Sequence, residues 1–350
     1  MRKVYKAVVF LIVLLLCLLI TQTRLGYRDD LSTQNVFKDY YALPRGTVDV
    51  IATGTSAVQR GWISPIAYRR YGIASYSLAT ASQPFCLTKH IMKEAYRTQE
   101  PKAFVIDIRG AFKTSDDIRD GFIRRVTDNI ADSAVRFNAI KETLTYAGLD
   151  NEHIDVDDMS YYIKLLKYHE LYDPSKLPVE KGVQYYSGFA YYEPSYFNIS
   201  PQRDVGVIRE KEKLEANSIT TLNDLLNYCD TIDAKVIFTV MPFAASKKQV
   251  KKINTAASIV RKRGYTCINF MDRKHREKLD VDFNKFLYNR NHTNYYGSEK
   301  ITRYICKQLK RSINLPDRRK DIRCSVWKEN YRAFRKASRQ KKLEMYEKLQ

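Results

Sequence analysis

Little in this chain could build a metal centre or a disulfide framework. Its 350 residues include six cysteines and five histidines. Cys17 lies in an apolar N-terminal run. Cys86, Cys229, Cys267, Cys306 and Cys324 are scattered, with no C-x-x-C and no metal-ligand spacing, so neither a metal nor another cofactor is called for. Five cysteines outside the apolar run form an odd set, which argues against a disulfide framework and leaves a single pair open. Cys229 and Cys267 fall in apolar patterns that read as reduced core residues. No internal repeat runs along the chain. Acidic residues are scarce relative to basic ones, 39 against 60, for a net charge of +21. Residues 301–350 alone carry 16 Lys/Arg against 5 Asp/Glu. A surface of this sign draws nucleic acid, anionic lipid or acidic envelope polymer.

The single long hydrophobic run, Ala7 to Ile20, decides among these partners. Arg2, Lys3 and Lys6 precede it. The run alone is short for a span, but Val4, Tyr5 and Thr21–Thr23 extend it, and Lys6 can snorkel to the interface. No small-x-small cleavage site follows, since the run ends Thr21-Gln22-Thr23-Arg24. An uncleaved anchor is therefore favoured over a cleaved signal. Both readings keep the positive flank inside and export the rest. We expect residues 1–24 to be a cytoplasmic stub and single-pass anchor in the cell membrane, 25–46 a linker, and the main domain extracytoplasmic. Nucleic acid then falls away as a partner, and the basic C-terminal part is left to meet membrane lipid or an envelope polymer.

With 44% hydrophobic residues the chain is long enough for one sizeable core. Thr47–Gly54 (T-V-D-V-I-A-T-G) reads as a buried strand running into a turn. Ile73–Ala79 reads as a second strand, Pro84–Gln99 as a helix, and Ala103–Arg109 as a strand covered on both faces. Residues 111–215, rich in Tyr and charge with helical periodicities, read as an insertion or lid. Strand–helix alternation resumes with a helix from residue 217 carrying Leu222, Leu225, Leu226 and Cys229 on one face. The strand Lys235–Val240, the helix Ser246–Arg263, the strand Cys267–Met271 and the closing helix Tyr295–Arg311 follow. This pattern implies a parallel sheet with right-handed crossovers. A domain over 47–312 would then be followed by a basic tail, 313–350. The tail contains a helix-like stretch, Val326–Leu349, with Trp327, Tyr331 and Phe334 on one docking face. The 26 tyrosines suit amphipathic surfaces that hold sugars, and ordinary packing uses them too.

Ligands bind at the carboxyl ends of strands in open parallel sheets. Two segments stand out there. Gly54-Thr55-Ser56 follows the first strand, where a sharp turn puts Ser56 at the start of the next element beside free backbone N–H groups. Asn289-Arg-Asn-His292-Thr-Asn294-Tyr-Tyr-Gly297 precedes the closing helix, with His292 among polar neighbours. His90, His153, His169 and His275 lie in charged or helical contexts that give them no such setting.

A strand ending in G-x-S, with a D-x-x-H-x-N-x-x-G-like block before the final helix, resembles the SGNH/GDSL hydrolase family. The likeness spans residues 47–305. It rests on V-D-V-I-A-T-G-T-S-A-V-Q, Y-G-I-A-S-Y-S-L-A-T-A-S-Q-P, A-F-V-I-D-I-R, K-V-I-F-T-V-M-P-F and N-H-T-N-Y-Y-G-S-E-K-I-T. It is similar to the membrane-anchored envelope branch, which includes proteins of alginate O-acetylation and teichoic-acid D-alanylation. The resemblance implies a three-layer α/β/α sandwich with a flavodoxin-like parallel sheet. It makes Ser56 the nucleophile, with His292 as its base. It places the turn Ala81–Gln83, with Ser82 and Gln83, at the oxyanion hole, and Asn294 in the last block. Asp107 and Arg109 would shape the substrate site or, as an ion pair, hold its loop. Gln83 reads equally as a helix cap.

Two departures stand against the family pattern. No G-x-N-D block is evident. The triad acid is replaced by Asn289, which cannot stabilise imidazolium by charge and can favour the unproductive tautomer; Asp280 and Asp282 are the nearby acids. The resemblance implies an acyltransferase or esterase acting on acyl, chiefly acetyl, esters of an envelope polysaccharide or teichoic-type polymer, with a membrane-bound O-acyltransferase as partner. The alternative is a catalytically weak or inactive polymer-binding or scaffold protein of an O-acylation complex.

Overall fold

Short β-branched runs form the centre of the molecule, and their burial explains their composition. In the computed structural model, five strands make one parallel sheet: β1 (Val50–Thr53), β2 (Ser75–Ser77), β3 (Ala103–Asp107), β4 (Lys235–Val240) and β5 (Thr266–Asn269), in the order β2-β1-β3-β4-β5. Val50 pairs with both Ser75 and Ala103, and Phe104 with Val236. Every residue of β1 and β3 is buried, so these strands are apolar nearly throughout rather than alternating. The structure describes residues 1–25, 31–149, 151–169, 179–199 and 201–349. Within the expected linker and insertion, residues 26–30, 150, 170–178 and 200 lie outside the described residues.

Helices connect and flank the strands. Thr88–Gln99, Ala216–Cys229, Lys247–Lys262 and Tyr295–Ser312 each bury one apolar stripe. Ser246 and Gln249 form a reciprocal capping box at the start of Lys247–Lys262, which fixes where that helix begins. The N-terminal helix, Arg2–Leu25, contains a stretch (Arg2–Thr21) long and apolar enough to cross a membrane, and its residues through Ile20 are exposed.

Three expectations about organisation change. The stretch assigned as a linker contains a helix, Leu31–Tyr41, that buries Val36, Phe37 and Tyr40 in the core. The Tyr76 hydroxyl donates to the Val36 carbonyl at 2.7 Å, and Tyr40 meets Thr98 at 2.7 Å. Its apolar face is only a few residues wide in a polar context, which hides it from composition. The insertion, secondly, is built into the core through Ile123, Val126, Ala139 and Ile140. Its Tyr-rich part is a hairpin, Val183–Tyr186 with Phe189–Tyr192, whose turn docks on β2: the Ser77 amide donates to the Ser187 carbonyl at 3.0 Å. Gly188 is required there, because it sits at φ +76° and a Cβ would overlap the Ser77 carbonyl. Among its described residues, only the first few of the insertion border the cleft described below.

Thirdly, the tail is part of the fold. The helix Ser325–Glu347 buries Trp327, Phe334 and Met345, and the Trp327 indole donates to the Ser75 carbonyl at 2.8 Å. Arg318 grips Asp49, just before β1, with Nε 3.0 Å from Oδ2 and Nη2 2.9 Å from Oδ1. Asp49 is 1% exposed. Removing the guanidinium leaves a buried carboxylate unpaired. Arg318→Ala is therefore expected to lower unfolding stability by about 3 kcal/mol in urea denaturation. A loss within error would show that the Arg318–Asp49 pair does not hold the tail to the domain.

Candidate active site

β1 ends at Thr53, and Gly54 turns the chain at φ +148°. A Cβ on Gly54 would lie 3.0 Å from both the Asp107 Cβ and the Val58 Cγ2, so glycine is needed for close approach as well as for conformation. Thr55 caps the following helix, Ser56–Gly61, its hydroxyl accepting from the Ala57 amide at 3.3 Å. Ser56 is thus the first helical residue, and its own amide has no carbonyl four residues back to bind. That helix rests on the closing one: the Ser298 hydroxyl donates to the Arg60 carbonyl at 3.3 Å, and the Ile63 amide to the Thr302 hydroxyl at 3.0 Å. Since His292 lies just before the closing helix, the same packing brings the two turns together.

The Ser56 Oγ and His292 Nε2 are 2.8 Å apart, and His292 Nδ1 is 3.0 Å from Asn289 Oδ1. Asn289 Oδ1 also accepts from the backbone amides of Asn291 at 2.9 Å and His292 at 3.0 Å. Two amide donors orient the oxygen, not the nitrogen, of the Asn289 side chain towards the ring. An oxygen there only accepts, so Nδ1 carries the proton and Nε2 is left to accept from Ser56. The expectation that an amide favours the unproductive tautomer is thus corrected, because the turn's own backbone fixes the amide's orientation. The missing negative charge is not restored. Asp282 accepts from the Asn284 amide as a helix cap, Asp280 ends a helix in the left-handed region, and neither binds His292.

His292 is half-buried and its ring stacks on Tyr288, centroids 5.6 Å apart at 11°. Arg60 donates to the Tyr288 hydroxyl at 2.8 Å and pairs with Glu180 from the insertion. Desolvation, then the positive charges of Arg60 and Arg109, push the His292 pKa down to about 3. The imidazole is held neutral, competent to accept a proton but weakly basic.

Asp107 and Arg109 take the loop-holding role. Asp107 Oδ1 accepts from the Met241 amide at 3.1 Å, Arg109 Nε lies 3.4 Å from Asp107 Oδ2, and Arg109 Nη1 donates to the Asn291 carbonyl at 2.9 Å. Arg109 also lies over the Phe243 ring, 4.6 Å from its centroid, and lines a cleft of about 430 Å³ together with Ser56, Ser82 and His292. Ser82 adopts φ +55°, a left-handed conformation that costs an L side chain energy.

Gln83 and Asn294 are corrected. Gln83 is buried, its amide nitrogen donates to the Thr88 hydroxyl at 3.1 Å, and it does not line the cleft. Asn294 caps the closing helix, accepting from the Gly297 amide at 3.0 Å and donating to the Lys285 carbonyl at 2.8 Å. Asn294 is a polar residue at a helix start, where capping competes with any ligand role, whereas Gln83 caps neither helix that follows it and is tied to the Thr88 side chain instead. Sequence reasoning missed Arg60, Tyr288, Lys113, Phe243 and Arg290. All five flank the motif residues or follow a strand end, which is the signal that could have found them. All six cysteines are free.

Comparison of the chain with family models, with curated proteins and with solved structures finds no match to any.

Asn289→Asp places a carboxylate on the same donors and adds the missing charge. The His292 pKa, followed by NMR on ring carbon shifts, is expected to rise by about 1 to 3. No rise would mean that the turn does not hold residue 289 against the ring. The low value also fixes the sign of the pH dependence. The base form prevails above the pKa, so any His292-dependent rate should stay flat from pH 5 to 8, without the inflection near 6.5 of an ordinary histidine.

Proposed function

We propose that the chain is an SGNH-type acyltransferase or esterase working outside the cytoplasm, with its N-terminal helix as a single-pass membrane anchor. Its substrates are acyl, chiefly acetyl, esters of a cell-envelope polysaccharide or teichoic-type polymer. The observation that carries this reading is the 2.8 Å contact between Ser56 Oγ and a His292 nitrogen whose opposite nitrogen is held by Asn289. The strand order β2-β1-β3-β4-β5 is the doubly wound order of flavodoxin-like α/β/α sandwiches, which supports the family reading.

In the reaction Ser56 Oγ attacks the acyl carbonyl while its proton passes to His292 Nε2. The oxyanion is met by the Ser56 amide, with Arg109 and the Ser82 turn at the same cleft. Collapse expels the ester's alcohol oxygen, which takes the proton back from His292. A polymer hydroxyl or water then repeats the sequence on the acyl-serine, giving transfer or hydrolysis.

A membrane-bound O-acyltransferase as acyl donor suits the tether. Between Leu25 and Leu31 the chain can extend at most about 20 Å. The Ser32 hydroxyl accepts from the Glu180 amide, and Glu180 pairs with Arg60 beside the His292–Tyr288 stack. The helix following the anchor thus begins near the face that carries Ser56. Membrane lipid is the further partner for the basic C-terminal helix.

A weak or inactive polymer-binding or scaffold protein is the second reading, favoured by Asn289 and by the low basicity of His292. A fluorophosphonate probe separates the two. We expect Ser56 to be labelled, and Ser56→Ala to lose labelling and lower ester turnover by about 10³-fold or more. Absence of labelling together with unchanged polymer acylation in Ser56→Ala would leave the scaffold reading.

A further inference from the structure

Away from the cleft, one part of the insertion is apolar where it meets solvent. Phe137, Met159, Ile163 and Leu166 are each 41–55% exposed. The Ile163 amide donates to the Met159 carbonyl at 2.9 Å and the Leu166 amide to the Ile163 carbonyl at 3.0 Å, so these three recur once per turn. Phe137, from the helix Ser133–Ala147, joins them through the Tyr162 ring, with centroids 5.3 Å apart. The two lysines of the same stretch are tied back to the domain. Lys164 donates to the Asp128 carbonyl at 3.0 Å, and Lys167 pairs with Asp120 at 3.2 Å. Single exposed apolar residues are ordinary, but a cluster of this kind marks a surface that something covers.

The N-terminal helix indicates what covers it. Arg2–Leu25 packs against Lys164–Tyr168. Its residues through Ile20 are exposed and Thr21 is half-buried, so the contact lies at its C-terminal end. The 20 residues Arg2–Thr21 match the hydrocarbon core in length, at about 30 Å. Leu25 then stands about 6 Å beyond the edge of that core, within the headgroup layer. An element packed on that last turn sits at the same depth.

We propose that residues 159–168, together with Phe137, form a foot that seats the domain on the bilayer, its apolar side chains entering the boundary between headgroups and acyl chains. The proposal rests on the reading of the N-terminal helix as a membrane anchor, and not on the catalytic reading. One anchor alone leaves the domain free to tilt; a second contact fixes it. The helix Asp120–Thr127 carries that constraint to the cleft. Arg124 Nη1 donates to the Ser160 carbonyl at 3.1 Å, and the next residue, Arg125, donates to the Ala81 carbonyl at 3.3 Å, beside Ser82. The insertion thus holds the Ser82 turn, and the cleft it lines, at a set attitude to the membrane surface.

Tryptophan quenching in the full-length protein tests this. The protein is reconstituted in vesicles of phosphatidylcholine and phosphatidylglycerol, with the phosphatidylcholine either plain or brominated near the headgroup end of its acyl chains. Trp62 and Trp327 are buried and give a constant background. Ile163→Trp is expected to lose about half or more of its added emission in the brominated vesicles, because bromine quenches only what reaches the acyl boundary. Leu14→Trp, within the N-terminal helix, reports on the anchor separately. Quenching at both positions supports the foot. Quenching of Leu14→Trp alone overturns the proposal and leaves the anchor standing, whereas quenching of neither overturns both. In Phe137→Trp, quenching should occur in the otherwise native chain and disappear when Ile163→Glu/Leu166→Glu is added. Quenching retained in that charged variant would show that the anchor alone places the domain, which overturns the proposal. An unquenched Ile163→Trp whose emission shifts to the blue as protein density in the vesicles rises would assign the face to a second copy of the chain, and that too overturns it.

Discussion

A buried carboxylate, Asp107, ties the site together. It closes the end of β3, accepts from the Met241 amide at the end of β4, and packs its Cβ against Gly54 at the end of β1. Its partner Arg109 reaches the Asn291 carbonyl inside the histidine turn. One side chain thus links three strand ends and, through one arginine, a loop some 180 residues further along. Burial drives the Asp107 pKa up, and Arg109 with two backbone amides opposes this only in part. Isolated, that carboxylate would be costly at this depth; its value is geometric, since it is what forces four chain segments to meet.

The same arrangement explains the weak basicity of His292. Burial of the ring is the largest cause; Arg60, which braces the stacked Tyr288, adds a positive charge beside it, and the arginine that holds the histidine turn adds another. A carboxylate at position 289 would counter both. Asn289 supplies the orientation and leaves out the charge. Orientation and electrostatics, usually joined in one acid, are separated here.

Much of the fold was legible because long periodic segments leave little choice. The helices Ala216–Cys229, Lys247–Lys262 and Tyr295–Ser312 and the strand Lys235–Val240 fall within a residue or two of where periodicity and capping put them. What was hidden was short or contextual. The helix Leu31–Tyr41 shows three core residues in eleven, and the hairpin at 183–192 carries tyrosines that suit several structures. At the site, Ser56, His292 and Asn289 were readable because turn residues and polar loops announce themselves. Asn294 misled because a cap and a ligand-binding amide look alike until their partners are seen, and Gln83 because its buried side-chain partner, Thr88, is invisible in the sequence pattern.

Spacing alone is a poor guide, and the chain itself demonstrates this. Asp272-Arg-Lys-His275 has the acid and histidine three apart, with His275 Nδ1 2.8 Å from Asp272 Oδ1 and the His275 amide donating to the same oxygen at 3.0 Å. This is the geometry of Asn289 and His292 with the acid in place. Yet His275 is buried against Phe270 and Tyr304, and its acid caps a helix. The motif that matches the family's letters serves the fold, and the one that departs from them faces a serine. What separates them is the partner of the second ring nitrogen. That partner is set by where Gly54 turns the chain, some 230 residues away, and no local pattern encodes it.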